Sequence, residues 1–414
     1  MAKKEKILLS KDRFSDNYSE THNNVLDFIT FLEDMEENSK RWDVNLKNIS
    51  AKNIALGPIL APHVQETNNF YNASLEAIAE TVDDGSSGGV AGSRMLVTAP
   101  IDGETKAFLL SSTGLASLIS RAGLDCPVIH KLNIEDLEKT INTALKYAGE
   151  KQVSILHRED KIRAFNGANT YVSLSPCKMI TAIVKMLDSS YNGYTFKGGN
   201  YTHQKVMCSF ELTGDTTEIM ETYKNACEGI GSVKNKNLKV CFDFQTSEIG
   251  DDCAVISVSL VRGQLKIVLG SPISVVHNGD VSEETFINQL PQLLAKTKDL
   301  VAGLQKLMDL EVKHPINCIL NLAKYAGLAK TQTMSAIAEF QNYMDNMLKD
   351  DKNAKFTAHD VFYVLQETLM AMRKANVANS TIEKCEENIA RTLVDGFDWS
   401  GHDVSVRPDW GVSK

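Results

Sequence analysis

Residues 239–280 restrict the fold most, because short alternating runs there are separated by turn chemistry. Val240-Cys241-Phe242-Asp243-Phe244 alternates large apolar with small or polar side chains, the period of a half-buried strand. Residues 246–252 then supply a turn, with Gly250 free to take positive φ and Asp251 and Asp252 able to bond their own backbone. A second strand is expected over 254–261, a tight turn at Arg262-Gly263, and a third strand over 264–269. Pro272 has no N–H for a ladder, so the run is expected to break there before a last short strand at 273–276. The economical arrangement is an antiparallel meander.

The pattern changes at Ser282-Glu283-Glu284, where acids follow a capping residue at the positive end of a helix. Leu294, Val301 and Met308 recur every seven residues, as do Leu293, Leu300 and Leu307, and Leu290 and Leu304 extend the stripe. Under four heptads with Pro291 inside predicts an intramolecular packing seam rather than a coiled coil. Further helices are expected over 315–325, 333–348, 358–374 and 380–394, then an irregular tail with Trp399, Pro408 and Trp410.

Before the meander, helices are predicted over 24–35, 73–81, 115–122, 133–147 and 178–187. Strands are predicted over 53–60, 95–99, 107–110, 152–156 and 161–165. A chain of 414 residues exceeds one ordinary core. The expected class is α+β: a central antiparallel sheet flanked by helices, with a C-terminal helical subdomain. The expected divisions are an appended α/β region at 1–104, a central core at 105–281, and helices with a tail at 282–414.

No apolar run approaches the ~18 residues that span a bilayer, and the basic start, Lys3, Lys4 and Lys6, leads into no signal-peptide core. A cytoplasmic location without membrane contact is expected. The eight cysteines form no CxxC pair and are expected to be reduced and structural. A formal net charge of −9 argues against coating duplex DNA by bulk electrostatics. Between residues 151 and 208, however, eight Lys and Arg stand against three acids.

Several positions occur together in a telling order: Thr113-Gly114-Leu115-Ala116, Arg121-Ala122-Gly123-Leu124, the Asn142 helix, Leu156 with Arg158, Ile162-Arg163-Ala164-Phe165, Ser247-Glu248-Ile249-Gly250 and Asn278-Gly279. Over residues 107–395 this order resembles the phage- and plasmid-borne domain family that has no assigned activity. Thr246 stands where that family has Asn, and His277 where it commonly has Cys. The resemblance implies a mobile-element origin and a mixed α/β fold, and it carries no catalytic residues over.

The glycine-rich run 83–92 lacks the Gly-Lys-Ser/Thr ending of a phosphate loop and is expected to be a linker or hairpin loop. Asp243, Glu248, Asp251 and Asp252 are oxygen ligands of the kind magnesium or calcium takes, yet they also suit a solvated turn. The nine histidines form no HxxxH pair, and no nucleophile elbow is present. No cofactor, metal or catalytic residue is assigned.

Residues 189–205 are the most suggestive stretch. Tyr191, Tyr194, Phe196 and Tyr201 interleave with Lys197, Lys205 and glycines, as on a platform where rings stack unpaired bases and lysines hold phosphates. The same stretch is also an ordinary hairpin, since tyrosines suit strands and Asn192-Gly193 suits a turn. Arg158, Lys161 and Arg163 from the preceding hairpin would join the phosphate contacts. The leading expectation is therefore a non-enzymatic accessory factor that binds or anneals single-stranded DNA. The alternatives are a self-assembling (homo-oligomeric) or host-protein-binding factor, and a metal-dependent enzyme acting on nucleotides.

Overall fold

The structure, a computed structural model, describes residues 16–53, 95–158, 161–190, 193–213, 239–250, 253–262, 265–375, 377, 379–393 and 396–402. The expected helix at 73–81, the glycine-rich run 83–92 and the tail beyond residue 402 lie outside them. The first half runs β1 (Ser19–His22), α1 (Val25–Glu37), β2 (Ser39–Asn45), β3 (Ser50–Asn53), β4 (Met95–Ile101), β5 (Glu104–Leu110), α2 (Ser112–Arg121), α3 (Ile134–Lys146), β6 (Gln152–Arg158), β7 (Lys161–Gly167) and α4 (Pro176–Ser190). The second half runs β8 (Tyr194–Thr202), β9 (Val206–Leu212), β10 (Lys239–Thr246), β11 (Ala254–Arg262) and β12 (Leu265–Val275). Helices α5 (Glu283–Asp309), α6 (Pro315–Ala326), α7 (Lys330–Asp350), α8 (Ala358–Lys374) and α9 (Asn379–Arg391) follow. The class is α+β, with sheets flanked by helices.

The strands form two six-stranded sheets. A meander sheet, in the order β1-β8-β9-β10-β11-β12, is antiparallel throughout. A mixed sheet has the order β2-β6-β7-β5-β4-β3, and β5 with β7 is its parallel pair. Residues before 105, expected as an appended region, supply β1 to the meander sheet and β2, β3 and β4 to the mixed one.

Local chemistry accounts for the elements. Asn24 caps α1 by accepting from the amides of Leu26 and Asp27, and Phe28, Phe31, Leu32 and Met35 recur on its buried face. Ser282 and Thr285 form a capping box on α5, and Thr357 and Asp360 form one on α8. The expected break at Pro272 does not occur, and β12 continues through it. Pairing shifts from Ile256↔Ile273 to Val258↔Leu269, so Pro272 falls in a bulge. Because β12 is an edge strand, no second neighbour requires the missing N–H.

One core lies between the inner face of the meander sheet, α1, α4 and the C-terminal helices, and it includes Phe210, Phe242, Phe244, Phe286 and Phe362. Leu290, Leu304 and Leu307 of the predicted stripe enter it, with Met308 packed against it. The side chains of residues 293–302 lie outside the described ones. A second core packs α2 and α3 against the mixed sheet around Phe108, Phe165 and Leu137. No helix among the described residues is long and apolar enough to cross a membrane.

Candidate functional site: a trough across the meander sheet

The three cations expected to hold phosphates from the β6–β7 hairpin are interior. Arg158 is 1% exposed, and its Nη2 meets Glu248 Oε2 at 2.6 Å. Its Nη1 donates to the Tyr201 hydroxyl at 3.1 Å and its Nε to Ser39 Oγ at 2.5 Å. Burial alone would lower the pKa of this guanidinium, and the Glu248 carboxylate with the Tyr201 hydroxyl more than offsets that, so Arg158 stays charged. Arg163, fully buried, donates from Nε to the Arg158 carbonyl at 3.2 Å and from Nη1 to Asp16 at 3.1 Å. Lys161 reaches the same Asp16 oxygen at 3.4 Å. These contacts join the two sheets, and Leu156, Ala164 and Ile249 add an apolar patch. With Arg158 on Glu248 and with Lys161 and Arg163 on Asp16, the three cations do not line up as an open track for the phosphates of a strand.

The aromatic half of the expectation is corrected in the same way. Tyr201 is fully buried, and Phe31 packs on it at 5.2 Å. Phe196 packs on Phe210 at 5.3 Å, and Tyr194 packs on Phe210 at 5.9 Å while donating to Asp188 at 3.0 Å. Tyr191 lies outside the described residues. Strand alternation turns Tyr194 and Phe196 toward the core and Lys197 to the opposite face, and the bulge between Phe196 and Gly198 turns Tyr201 inward as well. There Lys197 meets Glu211 at 3.0 Å, and Lys205 meets Glu383 at 3.1 Å. Rings and lysines are thus on different sides of one sheet.

That opposite face holds a trough of about 820 Å³. Its floor follows from the alternation in β9 to β12, which places Phe, Val and Ile inward and short polar residues outward. One row crosses all six strands in register, Thr21, Asn200, Met207, Gln245, Val255 and Ser274, and every member lines the trough. A second row sets Ser209 beside Asp243 beside Ser257. Spanning five inter-strand gaps, the trough is ~24 Å long. Helix α9 walls one end through Ile382, Glu383, Glu386 and Glu387. The pattern of small outward residues was present in the sequence, but it points to a site only once the strands are known to be neighbours.

Charge along the trough is balanced. Among the described residues four cations line it, Lys197, Lys266, Arg373 and Lys384, against four acids, Asp243, Glu383, Glu386 and Glu387. The acids are paired: Asp243 with Lys266 at 3.1 Å, Glu383 with Lys205, Glu386 with Arg373, and Glu387 with Arg391 at 2.6 Å. Glu211 accepts from both Lys197 and Lys239, and although partial burial pushes its pKa up, the two lysines hold it below the usual carboxylate range. Among the described residues lining the trough Phe244 is the only aromatic one, and its ring packs inward on Phe286 at 5.6 Å.

The carboxylates weighed as metal ligands are not brought together. Asp243 is in the trough with Lys266 and Ser259, Glu248 is at the joint between the sheets, and Asp251 and Asp252 lie outside the described residues. Among the described residues, no group of three or more His, Cys, Asp or Glu side chains is placed to hold a metal ion. No family model matches the chain, and no curated protein or solved structure does either.

Proposed function

We propose that this protein is an interaction factor that receives an extended polypeptide segment in the trough. The observation that carries this is the unbroken six-residue row in a trough whose four cations are matched by four acids. A segment of about seven extended residues spans the ~24 Å floor. Its polar groups would meet Asn200, Gln245 and Ser257, and its apolar side chains Met207, Val255 and Ile382. A nucleic-acid strand suits such a lining less well. Phosphates need an excess of cations, and bases need rings to stack on.

One observation favours single-stranded DNA as a second reading. Lys197 and Lys239 share the single carboxylate of Glu211, which leaves one positive charge at that lip.

The test selects a displayed random heptapeptide library on the full chain and measures the enriched peptides against Ser257→Trp, which fills the floor. Peptides that bind the parent and lose tenfold or more in the variant, with unchanged melting temperature, support the proposal. Failure to enrich any peptide sensitive to Ser257→Trp overturns it. Binding of a labelled single strand that weakens steeply with salt and is lost in the same variant would put the nucleic-acid reading in its place.

A further inference from the structure

Helix α2 begins Ser112-Thr113-Gly114 and has no acid in its first turn. The amide of Ser112, one of the unsatisfied donors at the start of any helix, is met instead by Asp16 Oδ2 at 2.7 Å, from 96 residues earlier in the chain. The other oxygen of that carboxylate meets Arg163 Nη1 at 3.1 Å and Lys161 Nζ at 3.4 Å. Backbone amide, guanidinium and ammonium thus converge on one anionic group at the positive end of a ten-residue helix. Lys161 is 5% exposed and Arg163 fully buried, so packing fixes both heads in place. Asp16 comes from outside the mixed sheet, because residues 16–18 lead into the four-residue edge strand β1 of the meander sheet.

We propose that the start of α2 with Lys161 and Arg163 is an oxyanion site whose resident occupant is the chain's own Asp16, and that a phosphate group competes with Asp16 for it. The chemistry favours phosphate because two cations and an amide suit a doubly charged, three-oxygen acceptor better than a single carboxylate. Asp16 then acts as a built-in blocker that must be displaced before a ligand enters. The site lies on the mixed sheet, away from the trough, so it fails or stands independently of the peptide reading.

The experiment follows thermal unfolding of the full chain and of Asp16→Ala against inorganic phosphate, with ionic strength held constant by sodium chloride. Asp16→Ala is expected to melt several degrees below the parent in chloride alone and to regain most of that loss in millimolar phosphate, while the parent barely responds. Adding Lys161→Met to Asp16→Ala is expected to abolish the rescue. Should Asp16→Ala not fold, Asp16→Asn keeps an acceptor for Ser112 and takes its place. A second arm compares a short single strand with and without a 5′-phosphate. Rescue by phosphate alone assigns a small-molecule site, and stronger rescue by the phosphorylated strand assigns a terminal phosphate. If no Asp16 variant responds to any of these anions more than the parent does, the proposal is overturned.

Discussion

Thr246 Oγ1 and His277 Nε2, both buried, lie 3.2 Å apart. The other ring nitrogen, Nδ1, faces the Val172 carbonyl at 2.9 Å. A carbonyl can only accept, so Nδ1 carries the proton and Nε2 accepts from the threonine hydroxyl. The ring also stacks on Tyr171 at 5.3 Å and 7°. The two side chains therefore form one directed contact. His277→Cys alone is expected to cost about 1–3 kcal/mol by leaving a buried hydroxyl unpaired. Thr246→Asn with His277→Cys is expected to cost less than the sum of the single changes, as read in a urea-denaturation double-mutant cycle.

Acid should weaken the fold through buried neutral histidines. Burial pushes His359 down to about 4 and also lowers His277. At pH 5 the unfolded chain binds a proton at His359 and the folded chain does not, so stability falls as pH drops from about 6.5 toward about 4, and the lowered His277 acts in the same direction. For His359 the full loss is about 3 kcal/mol. Urea midpoints between pH 7 and pH 5 should fall steeply in the parent and less steeply in His359→Leu, and equal slopes would remove His359 from the account.

The Arg158–Glu248 pair should behave as a buried pair does when halved. Glu248→Gln and Arg158→Met are each expected to cost about 3 kcal/mol, because each leaves a polar partner stranded. Arg158→Met with Glu248→Leu should be more stable than either single variant. Equilibrium unfolding decides this, and a double variant weaker than both singles would contradict it.

Two glycines should differ in whether they can be rescued. A Cβ on Gly199 would sit 2.3 Å from the Phe28 ring, and one on Gly114 would sit 2.3 Å from the Ile162 carbonyl oxygen. Both alanine variants are expected to lose about 1–3 kcal/mol. Phe28→Leu should return part of the loss for Gly199→Ala, since a side chain can be trimmed. Gly114→Ala has no such remedy, because its obstacle is backbone.

The elements were more legible than the site. Caps at Asn24, Asn133, Ser282 and Thr357 and the alternation in β10 and β11 are local signals, so the helices and the meander could be read directly. The run from Tyr194 to Lys205 misled because composition was read without phase. A bulge between Phe196 and Gly198 resets the alternation, so Tyr201 returns to the core and Asn200 stays outside. Arg158 and Arg163 looked like surface cations because their partners, Glu248 and Asp16, are 90 and 147 residues away. The trough could not be read either, since its central row draws one residue from each of six strands spread over residues 21–274.

The placement of β1 also bears on biosynthesis. Ser19 pairs with Thr202, so β1, the first strand among the described residues, has its partner only after some 180 further residues are made. At roughly 5–20 residues per second that is about 10–40 s. Every strand of the mixed sheet is translated within this interval, so that sheet can assemble while β1 still lacks its strand partner. On this schedule the mixed sheet can close before β1 meets β8, and β9 to β12 with the C-terminal helices are added afterwards.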